Sequence, residues 1–250
     1  MIKLARSLHS GKGRRASGLF LIEGRNAVAA ALNVGFPLRE VLAASEEVEL
    51  SERAGDLGHQ VHRVESEVLA YAGEAQTALP IVAFGEIPTS WQVELPPSLL
   101  VLDGIADPGN VGTLWRAADA AGIRGVASLN GGADPFSPKV VRSGAGSLFH
   151  LPPIREGDGS AEAIVAQLQE QDLAILTAEA HEGEDCFKFA WPQRAALVLG
   201  HETRGISPVF QEAATARVTI PVFGRAESLN VAMAGTILMY AWAQDGRTRP

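Results

Sequence analysis

The sequence predicts an α/β fold with a largely parallel sheet, and three observations carry that expectation. Short apolar runs of strand length alternate with segments of helical periodicity, the pattern of β–α–β units. The 250 residues are 46% hydrophobic and 20% charged, a globular composition that excludes a disordered chain and suffices for one large domain or two modest ones. The 26 glycines and 14 prolines follow no period, which excludes collagen-like and low-complexity chains.

Taken in order, LFLIE (19–23) is the first strand, and Asn26–Asn33 reads as the helix that follows it. REVLAA (39–44), a helix over Glu46–Leu57, HQVHRV (59–64) and PIVAF (80–84) continue the alternation. His59 and His62 fall inside a strand-like stretch, where a core or surface place fits better than metal ligation. GEIPTSWQVELPPS then breaks the pattern with Pro88, Pro96 and Pro97, so residues 1–90 are expected to form one domain, 91–97 a linker and 98–250 a second domain. Beyond it come LLVLD (99–103), GVASL (125–129), LAILTA (173–178) and AALVLG (195–200), separated by helical patterns at 110–121 and 160–171 and followed by one at 228–243. No repeat relates the two halves.

The single cysteine, Cys186, excludes an intrachain disulfide and a Cys-rich zinc site, and no metal site stands out. The basic N-terminus is followed by no apolar core of a secretory signal. The longest uncharged stretch, Ser228–Gln244, is interrupted by Asn230 and Thr236 and falls short of a membrane span, so a soluble, cytoplasmic protein is expected. Net charge is −8, yet residues 1–25 carry +5 through Lys3, Arg6, Lys12, Arg14, Arg15 and Arg25 against Glu23. Such an arm on an acidic body can bind a polyanion; it can equally be a solvated tail.

Common nucleotide signatures fail. Gly104 and Gly109 have Walker spacing, but Asn110 stands where a phosphate-binding lysine is needed. No G-x-G-x-x-G follows a strand and no G-x-S-x-G elbow occurs. Three segments of similar design remain, each read as a strand ending in a polar, glycine-bearing turn that opens a helix. In LLVLDGIADPGNVGTLWRAADAAG (99–122), Val111, Leu114, Ala118 and Ala121 share a helical face while Arg116 points away, free for a ligand or for a surface pair with Asp119. In ALVLGHETRGISP (196–208) the strand stops at Gly200, the turn holds His201, Glu202 and Arg204, and Ser207-Pro208 suits an N-cap and first helical position. Polar groups at the carboxyl end of a parallel strand lie where α/β proteins bind ligands, although a plain charged turn reads the same way. In IPVFGRAESLNVAMAGTILMYAW (220–242), Ser228 can cap a helix that is apolar on every face, with Met233, Ile237, Tyr240 and Trp242 spanning more than one of them.

Together and in this order, the three segments resemble the motifs of the SpoU-type RNA 2′-O-ribose methyltransferases of the SPOUT superfamily. The matching residues are Asp107-Pro108-Gly109-Asn110 with Arg116, Leu199-Gly200 with Glu202 and Arg204-Gly205, and Ile220-Pro221 with Glu227-Ser228-Leu229-Asn230-Val231. SPKVVRSGAGSLFH (137–150) is similar to the family's linking segment through Arg142, Ser143 and Gly146, and residues 7–28 to the opening of its substrate-binding domain. His201 departs from the small polar residue usual in the second motif, and QTALPIVA (76–83) matches only loosely.

The resemblance implies a knotted methyltransferase domain behind a smaller α/β RNA substrate-binding domain, with S-adenosylmethionine as methyl donor. It implies cofactor contacts from Leu199, Gly200, Ile220, Val222, Ser228 and Leu229, Gly200 permitting close approach because it lacks a side chain. The catalytic set it implies is Arg116, Asn110, Glu202, Ser228 and Asn230. Arg116 serves the ribose hydroxyl; a guanidinium is a poor base, so binding the target phosphate and polarising the hydroxyl is the reading adopted, with Asn110 and Glu202 holding it. RNA contacts are expected from Arg6, Lys12, Arg14, Arg15 and Arg142, with ribosomal RNA ahead of transfer RNA, and a homodimer is expected through the C-terminal domain. A non-catalytic RNA-binding protein that keeps the fold is the alternative, and a base nitrogen is the alternative methyl acceptor.

Overall fold

The computed structural model describes residues 1–73, 79–88, 94–154 and 159–245. Residues 91–93 of the expected linker, and 76–78 of the loosely matching segment, lie outside them. In chain order the elements are α1 (Ile2–Leu8), α2 (Gly11–Ser17), β1 (Leu19–Glu23), α3 (Arg25–Asn33), β2 (Leu38–Ala44), α4 (Val48–Asp56), β3 (Gln60–Val64), α5 (Ser66–Ala72) and β4 (Ile81–Glu86). They continue with β5 (Ser98–Asp103), α6 (Pro108–Ala121), β6 (Gly125–Ser128), α7 (Pro138–Ser143), α8 (Ser147–His150), β7 (Pro153–Ile154), α9 (Ala161–Glu170) and β8 (Ala174–Glu179). The last are β9 (Glu184–Asp185), β10 (Ala195–Gly200), α10 (Pro208–Ala213), β11 (Ala216–Thr219) and α11 (Val231–Gln244). Two compact units result: Met1–Thr89 with Asp134–His150, and Ser90–Ala133 with Leu151–Pro250. The segment 134–150, read from sequence as part of the second domain, packs with the first unit.

In the first unit the sheet order is β1-β4-β2-β3. β4 runs antiparallel to both β1 and β2, and only β2 and β3 are parallel, so the expectation of a largely parallel sheet fails here. β4 is inserted between β1 and β2, and its direction there is set by how the chain returns to the sheet, which nothing local to PIVAF encodes. Leu19, Leu21, Leu42, Val82 and Phe84 bury one face against Ala5, Leu8 and Leu69. The basic N-terminus is therefore not a tail: α1 carries its own apolar stripe, and Ser10 caps α2 by accepting from the Gly13 amide. On the other side Phe20 meets Phe36, Phe136 and Phe149, so segment 134–150 contributes two rings to this core.

In the second unit every pairing is parallel, in the order β7-β6-β5-β10-β8-β11-β9. β5 and β10 are buried almost throughout, as an all-parallel sheet requires. Leu99, Val101, Ala196, Val198, Ile175 and Phe210 fill one face. α6 and α11 pack together on the other, with Val111, Leu114, Ala118 and Ala121 buried as the periodicity predicts. Their approach is close: a Cβ on Gly235 of α11 would lie 2.4 Å from Leu114 Cδ2 and 2.5 Å from Leu199 Cδ1.

Two boundaries in the third motif differ from expectation. Its strand is Ala216–Thr219, upstream of Ile220, and residues 220–230 form a loop. The cap of α11 is Asn230, not Ser228, because the Asn230 Oδ1 accepts from the amides of Ala232 (2.9 Å) and Met233 (3.4 Å). Nor is α11 buried on every side: Met233 and Tyr240 are 65% and 49% exposed.

Candidate functional site

The three motifs converge at the carboxyl ends of β5, β10 and β11 in the second unit, where a parallel sheet leaves strand-end amides and carbonyls unpaired. Asp107 opens α6 by accepting from the Gly109 and Asn110 amides at 2.6 and 3.1 Å, and Pro108 takes the first helical position. That cap sets Asn110 at the mouth of the site. Its Nδ2 donates to Glu202 Oε1 at 3.0 Å, and its Oδ1 accepts from Asn230 Nδ2 at 3.2 Å. Since Asn230 is itself held by capping α11, one chain of hydrogen bonds ties all three motifs together.

Glu202 also accepts from the backbone amides of Ala106 (3.3 Å) and Asp107 (3.5 Å). Burial pushes its carboxyl up, but the bond from Asn110 and those from the amides of Glu202, Ala106 and Asp107 outweigh it and hold the group below the usual carboxylate range. It is thus an ionised acceptor that orients its neighbours. The turn carrying it is a tight hairpin: His201 and Gly205 exchange backbone bonds of 3.0 and 2.9 Å, and the His201 Nδ1 accepts from the Thr203 amide at 3.1 Å. Downstream, the Ser207 amide donates to Asp103 Oδ2 at 2.7 Å, anchoring the turn to the end of β5. Ser207 does occupy the N-cap of α10, without a side-chain capping bond.

Beside this network lies a cleft of about 570 Å³, a size suited to a small organic ligand. All six residues expected at a cofactor line it: Leu199, Gly200, Ile220, Val222, Ser228 and Leu229. Glu202 and Asn230 line it too. Asn110 and Arg116 do not; Asn110 reaches it through its two hydrogen bonds, and Arg116 stands exposed on α6. Ala178, Glu179 and Ala180, at the end of β8, also form its wall and were missed from sequence. Their signal was available, since the end of LAILTA is another strand terminus on the same edge.

Gly200 lines the cleft and is required by the hairpin as well. A Cβ there would lie 2.4 Å from the Gly205 carbonyl carbon and the Ile206 nitrogen, so the returning chain demands glycine before any ligand arrives.

Two of the expected RNA contacts are committed inside the first unit. Arg14 is 4% exposed, bonds Asp134 Oδ2 at 2.6 and 2.9 Å, and donates to the carbonyls of Leu8 (2.7 Å) and His9 (3.2 Å). Arg142 bonds Glu23, a carboxylate 3% exposed, at 2.7 Å. Lys12 and Arg15 are exposed, and the Arg6 guanidinium lies 4.8 Å from the centre of the exposed Tyr71 ring.

Residues 97–240 match the SpoU rRNA Methylase family, and residues 1–83 match the MRM3-like substrate binding domain. The chain is 31% identical to the 23S rRNA (guanosine(2553)-2'-O)-methyltransferase RlmP of Bacillus subtilis, over 96% of this chain and 94% of that protein. It is 33% identical to the 23S rRNA (uridine(2479)-2'-O)-methyltransferase of Streptomyces viridochromogenes, over 91% and 83%. Among solved structures, the AdoMet-bound rRNA methyltransferase of Sinorhizobium meliloti superposes with a TM-score of 0.87 at 26% identity, covering 97% of this chain and 94% of that one. The SpoU methyltransferase AviRb of S. viridochromogenes, in complex with AdoMet, gives 0.84 at 26% identity, with 97% of each chain covered.

Proposed function

Because the chain belongs to the SpoU rRNA methylase family, we propose that it transfers a methyl group from S-adenosylmethionine to a ribose 2′-hydroxyl of RNA, with ribosomal RNA as the substrate. The observation that carries this reading is the hydrogen-bonded chain Asn230–Asn110–Glu202, which joins the three motifs at the rim of the cleft. The cleft suits a nucleoside bearing an amino-acid tail: Leu199, Ile220 and Leu229 give it apolar walls, and the ends of β8 and β10 offer backbone donors and acceptors for a base edge.

Bound S-adenosylmethionine supplies an activated methyl group. The protein's own task is to hold the acceptor hydroxyl in line and to ease loss of its proton. Orientation of that kind is worth roughly 7–11 kcal/mol. A guanidinium is a poor base, so Arg116 binds the target phosphate and polarises the hydroxyl, and the proton leaves late, to water. Asn110 has both ends of its carboxamide engaged, so it fixes the opening of α6 and with it the helix that presents Arg116. Ser228 and Asn230 complete the polar rim.

In this reading the unit formed by residues 1–89 and 134–150 binds the substrate RNA. The unit formed by 90–133 and 151–250 is the methyltransferase domain, with a trefoil knot at its C-terminal end. The boundaries expected from sequence, 1–90, 91–97 and 98–250, shift because 134–150 packs with the first unit and Leu95 is buried in the core of the second. The enzyme works in the cytoplasm; no helix among the described residues is long and apolar enough to cross a membrane. It forms a homodimer through the C-terminal domain, supported by the exposed Met233 and Tyr240 with half-buried Ile237 on one side of α11.

Labelled S-adenosylmethionine incubated with total RNA tests the activity: label is expected as ribose 2′-O-methyl groups in ribosomal RNA. Label on a base nitrogen overturns the assignment, and binding of RNA without transfer identifies a non-catalytic binder. Sedimentation equilibrium at micromolar concentration tests the dimer, which a fully active single species of 26.4 kDa would overturn.

A further inference from the structure

The loop between β11 and α11 carries a feature that neither the cleft nor the fold accounts for. Phe223 is 93% exposed, more than any other large hydrophobic side chain among the described residues. A phenylalanine ring left in water forgoes about 2 kcal/mol or more of burial, a cost absent from a polar residue at the same place. Its neighbours are not neutral in position: Val222 and Ser228 on either side of it line the cleft, and Leu229 and Asn230 follow at the rim. Two residues on stands Arg225, also exposed. A bare ring and a guanidinium on one exposed loop, at the mouth of a site, match what single-stranded RNA asks of a protein: a π-face for a base and a cation for the phosphate beside it.

We infer that Phe223 is a stacking platform for an unpaired base of the substrate RNA, beside the nucleotide to be methylated, with Arg225 holding the adjoining phosphate. The inference rests on the RNA-methylating reading and adds to it the requirement that the target region be single-stranded, because a base paired within a duplex offers no free face. The loop also carries the exposed Glu227, so it has no net positive charge. The pairing of a bare ring with a guanidinium two residues away is what favours RNA over an apolar protein partner. Stacking tolerates any base, so Phe223 contributes affinity and placement while base identity is read elsewhere.

The test compares wild type with Phe223→Ala, Phe223→Trp and Arg225→Gln. RNA affinity is measured by filter binding with transcribed 23S ribosomal RNA and with a short oligoadenylate, cofactor affinity by calorimetry, and oligomeric state by sedimentation. Phe223→Ala is expected to weaken both RNAs about tenfold or more, Phe223→Trp to restore binding, and Arg225→Gln to lower the salt slope by about one. Cofactor affinity and subunit number should stay at wild-type values in all three. Equal RNA affinity in wild type and Phe223→Ala overturns the inference. So does dissociation of the oligomer by Phe223→Ala, which would assign the ring to a subunit interface. Failure of the parent reading is separate, since it is seen in the wild type as absence of methyl transfer.

Discussion

The two units use charge in opposite ways. In the first, Arg14–Asp134, Arg142–Glu23 and Arg25–Glu47 are ion pairs in each of which at least one partner is almost fully buried, and Arg63 adds bonds to the carbonyls of Ala44, Ser45 and Glu47. These groups hold a small mixed sheet to its surrounding segments. In the second, apolar side chains pack the faces of the sheet, and polar groups gather toward solvent near the strand ends: Asn110, Glu202 and Asn230 there, and Arg116 exposed on α6. Arg14 and Arg142 are structural mortar; Arg116 is left available for a ligand. Residue type alone does not separate the two.

The sharpest test of that contrast is Arg116→Ala. Turnover should fall about a hundredfold or more, while cofactor affinity by calorimetry and the melting temperature remain those of wild type. Preserved turnover would remove Arg116 from the reaction. Arg14→Ala should do the reverse. Breaking its pair leaves Asp134 without its partner, and because Asp134 is 40% exposed the loss is about 2–3 kcal/mol, below that of a fully buried pair. It should be read by denaturant titration, with Arg15→Ala as a control that leaves stability intact and weakens RNA binding. If Arg14→Ala is as stable as wild type, the mortar description is wrong.

The smallest expected effect concerns pH. Glu202 has a carboxyl held below the usual range, so its contribution to the hairpin is fully present above the ordinary carboxylate pKa and is lost only as pH falls through its own lowered value. Cofactor affinity followed against pH should therefore persist through the range where an ordinary glutamate titrates. Asn110→Ala removes the strongest of the lowering bonds, and its acid limb should move upward toward the ordinary value. Coincident limbs would mean that Asn110 does not tune Glu202.

The contrast also explains what could be read from sequence. In the second unit the strands at 99–103, 125–129, 173–178 and 195–200 fall within a residue or so of β5, β6, β8 and β10, because buried parallel strands are continuous apolar runs bounded by turns. The apolar pattern did not supply the site; the residues that the family resemblance implied for the cofactor line one cleft at these strand ends. In the first unit the strands read at 19–23, 39–44, 59–64 and 80–84 fall within a residue or two of β1 to β4, but the direction of β4 and the short helices were not legible. In the second unit β7, β9 and β11 were missed. α1 and α2 each span seven residues and are rich in cations, so their helical character depends on burying Ala5, Leu8 and the aliphatic stem of Arg14, a tertiary effect. The pairing of Arg14 and Arg142 depends on carboxylates 120 and 119 residues away, which no local pattern announces. The cap of α11 was misplaced by two residues because serine and asparagine are equally good caps, and only the tertiary bond to Asn110 favours Asn230.

The excursion of residues 134–150 into the first unit has a consequence for biosynthesis. When a ribosome has released residues 1–89, the sheet β1-β4-β2-β3 has all its strands, yet Glu23 lacks Arg142, Arg14 lacks Asp134, and Phe20 lacks Phe136 and Phe149. Completion waits until β5, α6 and β6 of the other unit have been made. The N-terminal unit cannot finish folding before its neighbour has begun, and contacts of such long sequence separation form slowly. A gene fragment ending near residue 90 would encode the strands of this unit without the segment that closes its core.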